Sequence, residues 1–351
     1  MALVPIEGNQ AAEANRILAY EIKRSGFFYL AKPAPGAFVA KGHFTQKGLE
    51  GELLRPGGKR LFNRTYAGGN LLRDVRQFSD DIVLAATGKP GIATSQIAFI
   101  SNQNSKPDIF LCDYDGKNTR QISKDGLPKR HPCLSPNGRN IFFVGTASQQ
   151  GGIYSIDLSD DKRTRIADAH GSAIEKAVVS PNGKQLAIVL AAGGNSDLYI
   201  AHTTGKSRKK LTDSAVPEFQ PCWSPDGGSL VYTAAIAPGK TQLFSIRVKS
   251  GNKPLPLPIT MPNPAQPSWS PDGHRIAFVS GGSANPTIAI YDFRNRSTHG
   301  LVPGQSPAWG ADSKHLIYTA GGSLYRIDAD TGEKTLVLGG GGQIYDPSWT
   351  R

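Results

Sequence analysis

Residues that could carry out catalysis or bind a metal are thinly spread along this chain of 351 residues. Its seven histidines are isolated from one another, and two of them, His274 and His315, follow turn-forming residues and are expected on surface hairpins. No H-E-x-x-H metal motif occurs, and the calcium-like start at Asp113 is not completed by further ligands, which favours a turn. Ser306 has no assigned base, and no G-x-S-x-G hydrolase motif is present. The sequence therefore predicts neither catalysis nor a bound metal or cofactor.

Side chains suited to binding a protein instead precede short apolar segments that recur along the chain. They combine cations, anions, amides and aromatic rings: Lys129, Arg130, His131, Glu175, Lys176, Glu218, Phe219, Gln220, Gln266, Gln305, Ser306, Tyr345 and Asp346. A mixed ring of this kind, with Phe219 and Tyr345 as aromatic anchors, suits a protein or peptide partner, and an ordinary solvated rim is the alternative. Its function depends on the elements that bring these residues together.

A phrase that follows each apolar segment indicates what those elements are. It reads Ser-Pro-Asn-Gly at 135–138 and 180–183, and Ser-Pro-Asp-Gly at 224–227 and 270–273, with a decayed copy at 310–313. Proline sets φ for the first corner of a tight turn, and the Asn-Gly or Asp-Gly pair tolerates the positive φ that closes it. Apolar runs flank every copy, so the phrase predicts a hairpin. A hairpin that recurs every 40 to 46 residues is typical of a β-propeller.

The two ends of the repeated region predict how such a propeller would close. Residues 345–349 resemble the first strand of a blade with no blade after it, whereas residues 95–101 resemble a second strand with no first strand before it. Pairing these ends would complete one blade and remove the open edges. The sequence therefore predicts a mainly β fold, with a six-bladed β-propeller over residues 91–351 closed by strand 345–349.

Residues 1–90 predict a small α+β domain in front of the propeller. The spacing of apolar residues predicts helices over 12–25 and 71–86, and residues 52–64 predict a hairpin. Residues 27–30, Phe-Phe-Tyr-Leu, predict a short strand. The linker to the propeller is expected at Lys89-Pro90-Gly91.

The composition narrows the functional class. The net charge of +12 invites an anionic partner, but the bases are scattered, and the densest run, at 206–210, favours a solvated basic surface. No apolar run reaches the length of a transmembrane helix, and residues 1–10 lack the pattern of a signal peptide. The cysteines show no C-x-x-C pairing, and Cys133 and Cys222 share one repeat position, where they are expected to pack between blades.

The repeat and the segment before it together resemble the TolB family, periplasmic propeller proteins of the Tol–Pal envelope system, over almost the whole chain. The likeness is greatest at residues 79–82, at the linker 87–91 and at residues 96–99, and the turn at 113–118 is also similar. The repeated phrase alone is less specific, because peptidase propellers also carry it. The resemblance implies a non-enzymatic periplasmic adaptor that binds the lipoprotein Pal and supports outer-membrane integrity, cell-division constriction and protein transport.

The resemblance also implies which residues contact Pal. Matching positions of the rim are Lys176, Phe219 and Gln220, and His170 lies slightly upstream. The initial strand and the longer middle section of the family's small domain are absent or shortened here, and residues 1–10 do not match the segment that engages TolA. TolA or another inner-membrane component would therefore be a partner only through the N-terminal region, and no nucleic acid is implied. Two alternatives stay open: a TolB-like propeller with a different protein or peptide partner, and the accessory propeller of a hydrolase.

Overall fold

The chain divides into two compact units, Met1–Ser95 and Gln96–Arg351. The computed structural model describes residues 1–103, 107–125, 127–145, 151–169, 171–249, 253–282 and 284–350. The boundary expected between residues 90 and 91 precedes this division slightly and stays a prediction. In the described part of the chain, neither helix is both long and apolar enough to cross a membrane.

The first unit is a four-stranded sheet packed against two helices. Its elements are β1 (Ala2–Leu3), α1 (Ala11–Arg24), β2 (Val39–Thr45), β3 (Gly48–Leu54), β4 (Arg60–Tyr66) and α2 (Leu71–Thr87). The sheet order is β1-β2-β3-β4, with β1 parallel to β2 and the other pairs antiparallel. Leu18 and Ile22 of α1 and Phe78 of α2 are buried in one core with Leu49 and Leu53 of β3. The two expected helices and the expected hairpin are confirmed.

The prediction of a strand at residues 27–30 is wrong. These residues form no strand: β1 is only two residues long, and it forms a single parallel bridge with this region, between Ala2 and Ala31. Tyr29 is 95% exposed, and its carbonyl oxygen accepts a hydrogen bond from the N-terminal ammonium of Met1. The initial strand, expected to be absent or shortened, is present as the two residues of β1.

The second unit is built from four-stranded antiparallel sheets, of which the described residues form six. The first sheet contains β5 (Gln96–Ser101), β6 (Asp108–Asp113) and β7 (Arg120–Gln121), and it is completed by the last strand of the chain, β28 (Ile344–Trp349). The second sheet contains β8 (Lys129–Leu134), β9 (Asn140–Gly145), β10 (Gly152–Asp157) and β11 (Arg163–Asp168), and the third contains β12 (Ala173–Val179), β13 (Gln185–Ala192), β14 (Asn195–His202) and β15 (Lys209–Lys210); the fourth contains β16 (Glu218–Trp223), β17 (Ser229–Ala237), β18 (Lys240–Arg247) and β19 (Leu255–Pro256). The fifth sheet contains β20 (Ala265–Trp269), β21 (Arg275–Ser280), β22 (Thr287–Asp292) and β23 (Ser297–Pro303), and the sixth contains β24 (Gln305–Trp309), β25 (His315–Ala320), β26 (Ser323–Asp328) and β27 (Lys334–Leu338). The innermost strands contact one another in the order β8, β12, β16, β20, β24, β28 and again β8, which closes a ring. The mainly β propeller fold is confirmed.

Closure occurs where the sequence predicts it. Strand β28 pairs antiparallel with β5, with Tyr345 opposite Ile100 and Ser348 opposite Ala98. The Thr350 N–H then donates to the Gln96 carbonyl oxygen at 3.1 Å. The first sheet thus joins both ends of the second unit and is completed to four strands like the other sheets.

The repeated phrase forms the turn between the first and second strands of a sheet. In the first copy, the Ser135 hydroxyl accepts the Asn140 N–H at 2.9 Å and donates to the Asn137 side chain at 2.8 Å. The copies at Ser180, Ser224 and Ser270 form the same pair of bonds.

The decayed copy replaces these bonds with a buried set. Gly310 stands in the place of serine, and Asp312 Oδ1 accepts the Lys314 and His315 N–H groups instead. His315 Nδ1 lies 2.6 Å from Asp312 Oδ2, and the histidine is only 4% exposed. The expectation of a surface position is therefore wrong for His315, whereas His274 is exposed as expected.

Candidate functional site

One position in each innermost strand faces a cavity of about 270 Å³ at the centre of the ring of sheets. We call these residues the mouth ring: His131, Lys176, Gln220, Gln266, Ser306 and Asp346. Two residues further along each strand, small side chains line the wall: Cys133, Val178, Cys222, Ser268, Ala308 and Ser348. The cavity is therefore lined by polar side chains at the mouth ring and by smaller side chains two residues further along each strand.

Most of the mouth ring has an unusual backbone conformation. Five residues have left-handed φ values: His131 (52°), Gln220 (56°), Gln266 (51°), Ser306 (55°) and Asp346 (51°). Each lies where the register of its sheet shifts, and each is followed by proline. Such a conformation is uncommon for residues other than glycine and costs about 1 kcal/mol or more, so surrounding contacts must hold it. A shift in register leaves backbone N–H groups without a partner in the sheet. Proline has no N–H, so its presence after each of these residues removes one such unpaired donor.

Hydrogen bonds between neighbouring sheets provide those contacts. Gln220 Oε1 accepts the Gln266 N–H at 2.8 Å, and Gln266 Oε1 accepts the Ser306 N–H at 2.6 Å. Asp346 Oδ2 accepts the His131 N–H at 3.3 Å, which joins the first sheet to the second. At these three junctions, a side chain of one sheet thus fixes the left-handed residue of the next sheet.

His131 and Asp346 also form an ion pair at the mouth. His131 Nδ1 lies 3.1 Å from Asp346 Oδ2, and the two side chains are 29% and 22% exposed. Burial by itself would raise the pKa of Asp346, but the hydrogen bond from His131 and the charges of His131 and Lys176 bring this pKa below its usual value. The carboxylate is therefore ionised near neutral pH, and its oxygen Oδ2 is already shared between two donors.

Two residues expected on the rim are buried, so those expectations are corrected. Lys129 is 2% exposed, and its ammonium is paired with Asp108 at 3.1 Å and with Asp125. Glu218 is also 2% exposed and accepts a hydrogen bond from Thr212 Oγ1. Burial raises the pKa of Glu218, and hydrogen bonds from Thr212 and Tyr232 oppose that rise. The internal partners of both residues could not be recognised from the local sequence pattern.

The other expected rim residues differ in their exposure. Arg130, Glu175 and Gln305 are exposed, whereas Phe219 and Tyr345 are partly buried and do not line the cavity. Tyr345 packs against the core between the first and second sheets. His170 lies outside the described residues. Binding of a partner by any of these side chains stays a prediction.

The sequence reasoning missed the prolines and the role of the wall residues. Cys222 Sγ accepts the Trp269 N–H at 3.2 Å, and Ser348 Oγ accepts the Leu134 N–H at 3.1 Å. The cysteine position therefore joins adjacent sheets, in agreement with the packing role expected for it. A signal for the mouth ring was present, since a proline follows the residue in five of the six strands. Within the described residues, no group of three or more His, Cys, Asp or Glu side chains is placed to hold a metal ion.

Comparisons with known proteins identify similar chains. The family model described as the TolB beta propeller domain matches residues 84–351. "Protein TolB homolog" of Chlorobium chlorochromatii is 31% identical over 207 residues, which is 57% of this chain and 46% of that protein. "Tol-Pal system protein TolB" of Geobacter metallireducens is 41% identical over 86 residues, which is 24% of this chain and 20% of that protein. The matched region thus spans less than half the length of these curated relatives.

Solved structures support the fold. The crystal structure of TolB from Acinetobacter baumannii matches with a TM-score of 0.82 at 22% identity, covering 99% of this chain and 96% of that chain. A putative TolB from Agrobacterium tumefaciens matches with a TM-score of 0.57 at 20% identity, covering 71% of this chain and 91% of that chain. At these identities the likeness concerns the fold alone.

Proposed function

The chain belongs to the TolB β-propeller family, and we propose from this membership that it is a non-enzymatic periplasmic adaptor of the Tol–Pal system. Its partner would be the lipoprotein Pal, bound at the mouth ring and the exposed residues beside it. The observation that carries the proposal is a polar, partly exposed ring around an open cavity of about 270 Å³. A concave polar site of this kind suits a projecting segment of another protein.

The rigidity of the mouth supports a role in binding. Left-handed residues locked by bonds between sheets leave little freedom for the backbone to lose when a partner docks, and a preorganised surface binds at lower entropic cost. The exposed side chains of Arg130, Glu175 and Gln305 add polar contacts beside the ring. Such contacts are typical of the rim of a protein interface.

The chemistry of the mouth supports a non-enzymatic role. The His131–Asp346 pair has the geometry of a base oriented by an acid, which catalysis would combine with a nucleophile. Among the described residues, however, no hydroxyl or thiol is hydrogen-bonded to the second ring nitrogen of His131. Cys112 is buried, and burial raises the pKa of its thiol to about 12, so it is a poor nucleophile at neutral pH.

Competition for one surface would be the mechanism. Pal held at the mouth ring would be kept from the cell wall, so occupancy of this surface would be linked to envelope constriction and outer-membrane integrity. The first unit would communicate with inner-membrane components such as TolA. A different protein or peptide partner at the same mouth is the alternative.

Calorimetric titration with the soluble domain of Pal from the same organism tests the proposal. We expect micromolar or tighter binding, weakened about tenfold, or about 1.4 kcal/mol, by Lys176→Glu. Lys184→Glu is the matched control, because it reverses an equivalent charge on an exposed turn of the same sheet. Absence of binding by the unchanged protein would exclude Pal as the partner, and equal weakening by Lys184→Glu would exclude the mouth as its site.

A further inference from the structure

Lys176 interrupts the pattern of the mouth ring. It is followed by alanine rather than proline, and it is absent from the residues with left-handed φ. The ring side chains of Gln220, Gln266 and Asp346 accept an N–H from the following sheet, but an ammonium group has no acceptor. Lys176 therefore does not take part in the bonding that holds the ring, and its side chain is available for another role.

In the part of the chain that the structure describes, the ammonium of Lys176 has no close counter-ion. Among the described residues, no hydrogen bond or ion pair involves its Nζ, although the side chain is half-buried and lines the cavity. The charge of Lys176 acts on Asp346, but Oδ2 of Asp346 already accepts the backbone N–H of His131 and lies beside Nδ1 of the same histidine. A cation in a partly dehydrated, concave site favours the entry of an anion, because water screens it less there than at an open surface.

The two glutamines next to Lys176 in the ring supply further donors. The oxygen of each amide, in Gln220 and Gln266, is taken by a backbone N–H, and this bond fixes the orientation of the amide group. Within the described part of the chain, the NH₂ groups of these amides donate to no other group, so they are left to bind a ligand. Lys176, Gln220 and Gln266 belong to the third, fourth and fifth sheets, so hydrogen-bond donors occupy consecutive positions on one side of the mouth. The His131–Asp346 pair lies on the first and second sheets.

We propose that this arc of donors binds a carboxylate of the partner, which pairs with Lys176 at the entrance to the cavity. The inference rests on the proposed function, since the carboxylate would be an aspartate, a glutamate or a C-terminus of Pal. A carboxylate carries a single charge and two acceptor oxygens, which match an ammonium and neighbouring amide donors. A more highly charged anion is disfavoured by the ionised Asp346 of the same ring. The cavity of about 270 Å³ accommodates one side chain rather than a folded element.

A charge-neutral variant tests the role of Lys176 in binding Pal. Lys176→Gln introduces the side chain that two other ring positions already carry, and circular dichroism verifies its fold. We expect it to weaken binding of the soluble Pal domain at least about tenfold, whereas Lys184→Gln leaves binding unchanged. Neutralising the acidic residues of Pal one at a time should reveal one whose loss weakens binding to the unchanged protein but not to Lys176→Gln. If every acidic residue has the same effect in both backgrounds, no carboxylate pairs with Lys176.

A small probe tests the site without Pal. Propionate and its neutral isostere propionamide are titrated against the full chain, and the NMR signals of the lysine side chains and of the mouth ring are followed. We expect saturable shifts at Lys176 with propionate only, and their loss in Lys176→Gln but not in Lys184→Gln. If Pal fails to bind but propionate shifts Lys176, the site stands and Pal is the wrong partner. If Pal binds and neither the probe nor Lys176→Gln has an effect, the proposed function stands and the carboxylate site is refuted.

Discussion

Gly310 stands where the four intact turns have serine, and its replacement by alanine is expected to destabilise the closed ring. A Cβ at this position would lie 2.9 Å from Cζ3 and 3.0 Å from Cη2 of Trp349. The φ of Gly310 is not among the left-handed values, so the effect is one of space rather than of backbone conformation. Trp349 is only 5% exposed, and it lies in β28, the strand that closes the first sheet, so its ring has little room to move.

The size of the effect follows from the cost of inserting a methyl group into a packed contact, about 1–3 kcal/mol. In a unit of this size, a loss of 1 kcal/mol lowers the Tm by about 2–4 °C, so calorimetry should detect a fall of several degrees. Gly300→Ala is the matched control. Its Cβ would meet Thr287 at 3.7 Å and Met261 at 4.0 Å, which are ordinary contacts, and the expected change is within about 0.5 kcal/mol.

Restoring the repeated phrase should therefore be harmful. Gly310→Ser recreates the serine of the other turns, yet its Cβ meets the same ring atoms of Trp349, and Asp312 already accepts the N–H that the hydroxyl would bind. In a Trp349→Phe background, which has a shorter side chain, Gly310→Ala should cost less, because contacting residues couple. An equal cost in both backgrounds, or an unchanged Tm in the single variant, would refute the contact with Trp349 as the reason for glycine.

Two further predictions concern the first unit. Burial raises the pKa of Asp80 to about 6, although its carboxylate accepts N–H bonds from Ala93 and Thr94. Because the folded protein holds this proton more tightly than the unfolded chain, the free energy of unfolding should fall as pH rises from about 4 to 6, and urea titrations of Asp80→Asn should lack this part of the fall. Arg76→Met should cost about 3–5 kcal/mol, because it removes the cation that lies 2.9 Å from the buried carboxylate of Glu21, and the double variant with Glu21→Gln should be more stable than Arg76→Met alone. A double variant no more stable than Arg76→Met would contradict the assigned pairing.

The elements of the propeller could be predicted because their signals are local. Each intact turn carries its own serine and glycine, and the sequence of the closing strand at 345–349 is similar to that of the first strand of the other blades. Lys129 and Glu218 could not be placed, because a charged residue at the start of a strand gives no local sign of burial. The partners of Lys129 are Asp108, in a strand of another sheet, and Asp125, and only the folded chain brings all three together.

The left-handed conformation of the mouth ring could not be predicted from the sequence, for a related reason. A polar residue followed by proline in an apolar strand suggests a bulge, but the left-handed φ of Gln266 depends on an amide from the preceding sheet, Gln220. The energy of that conformation is spread over neighbouring sheets, so it cannot be assigned to one strand. The residues of the mouth ring thus have two different roles. Residues such as Gln266 hold the mouth in shape, and Lys176, which cannot accept such a bond, keeps its charged group for a ligand. Variants of Gln266 should therefore change stability and binding together, whereas Lys176→Gln should change binding alone.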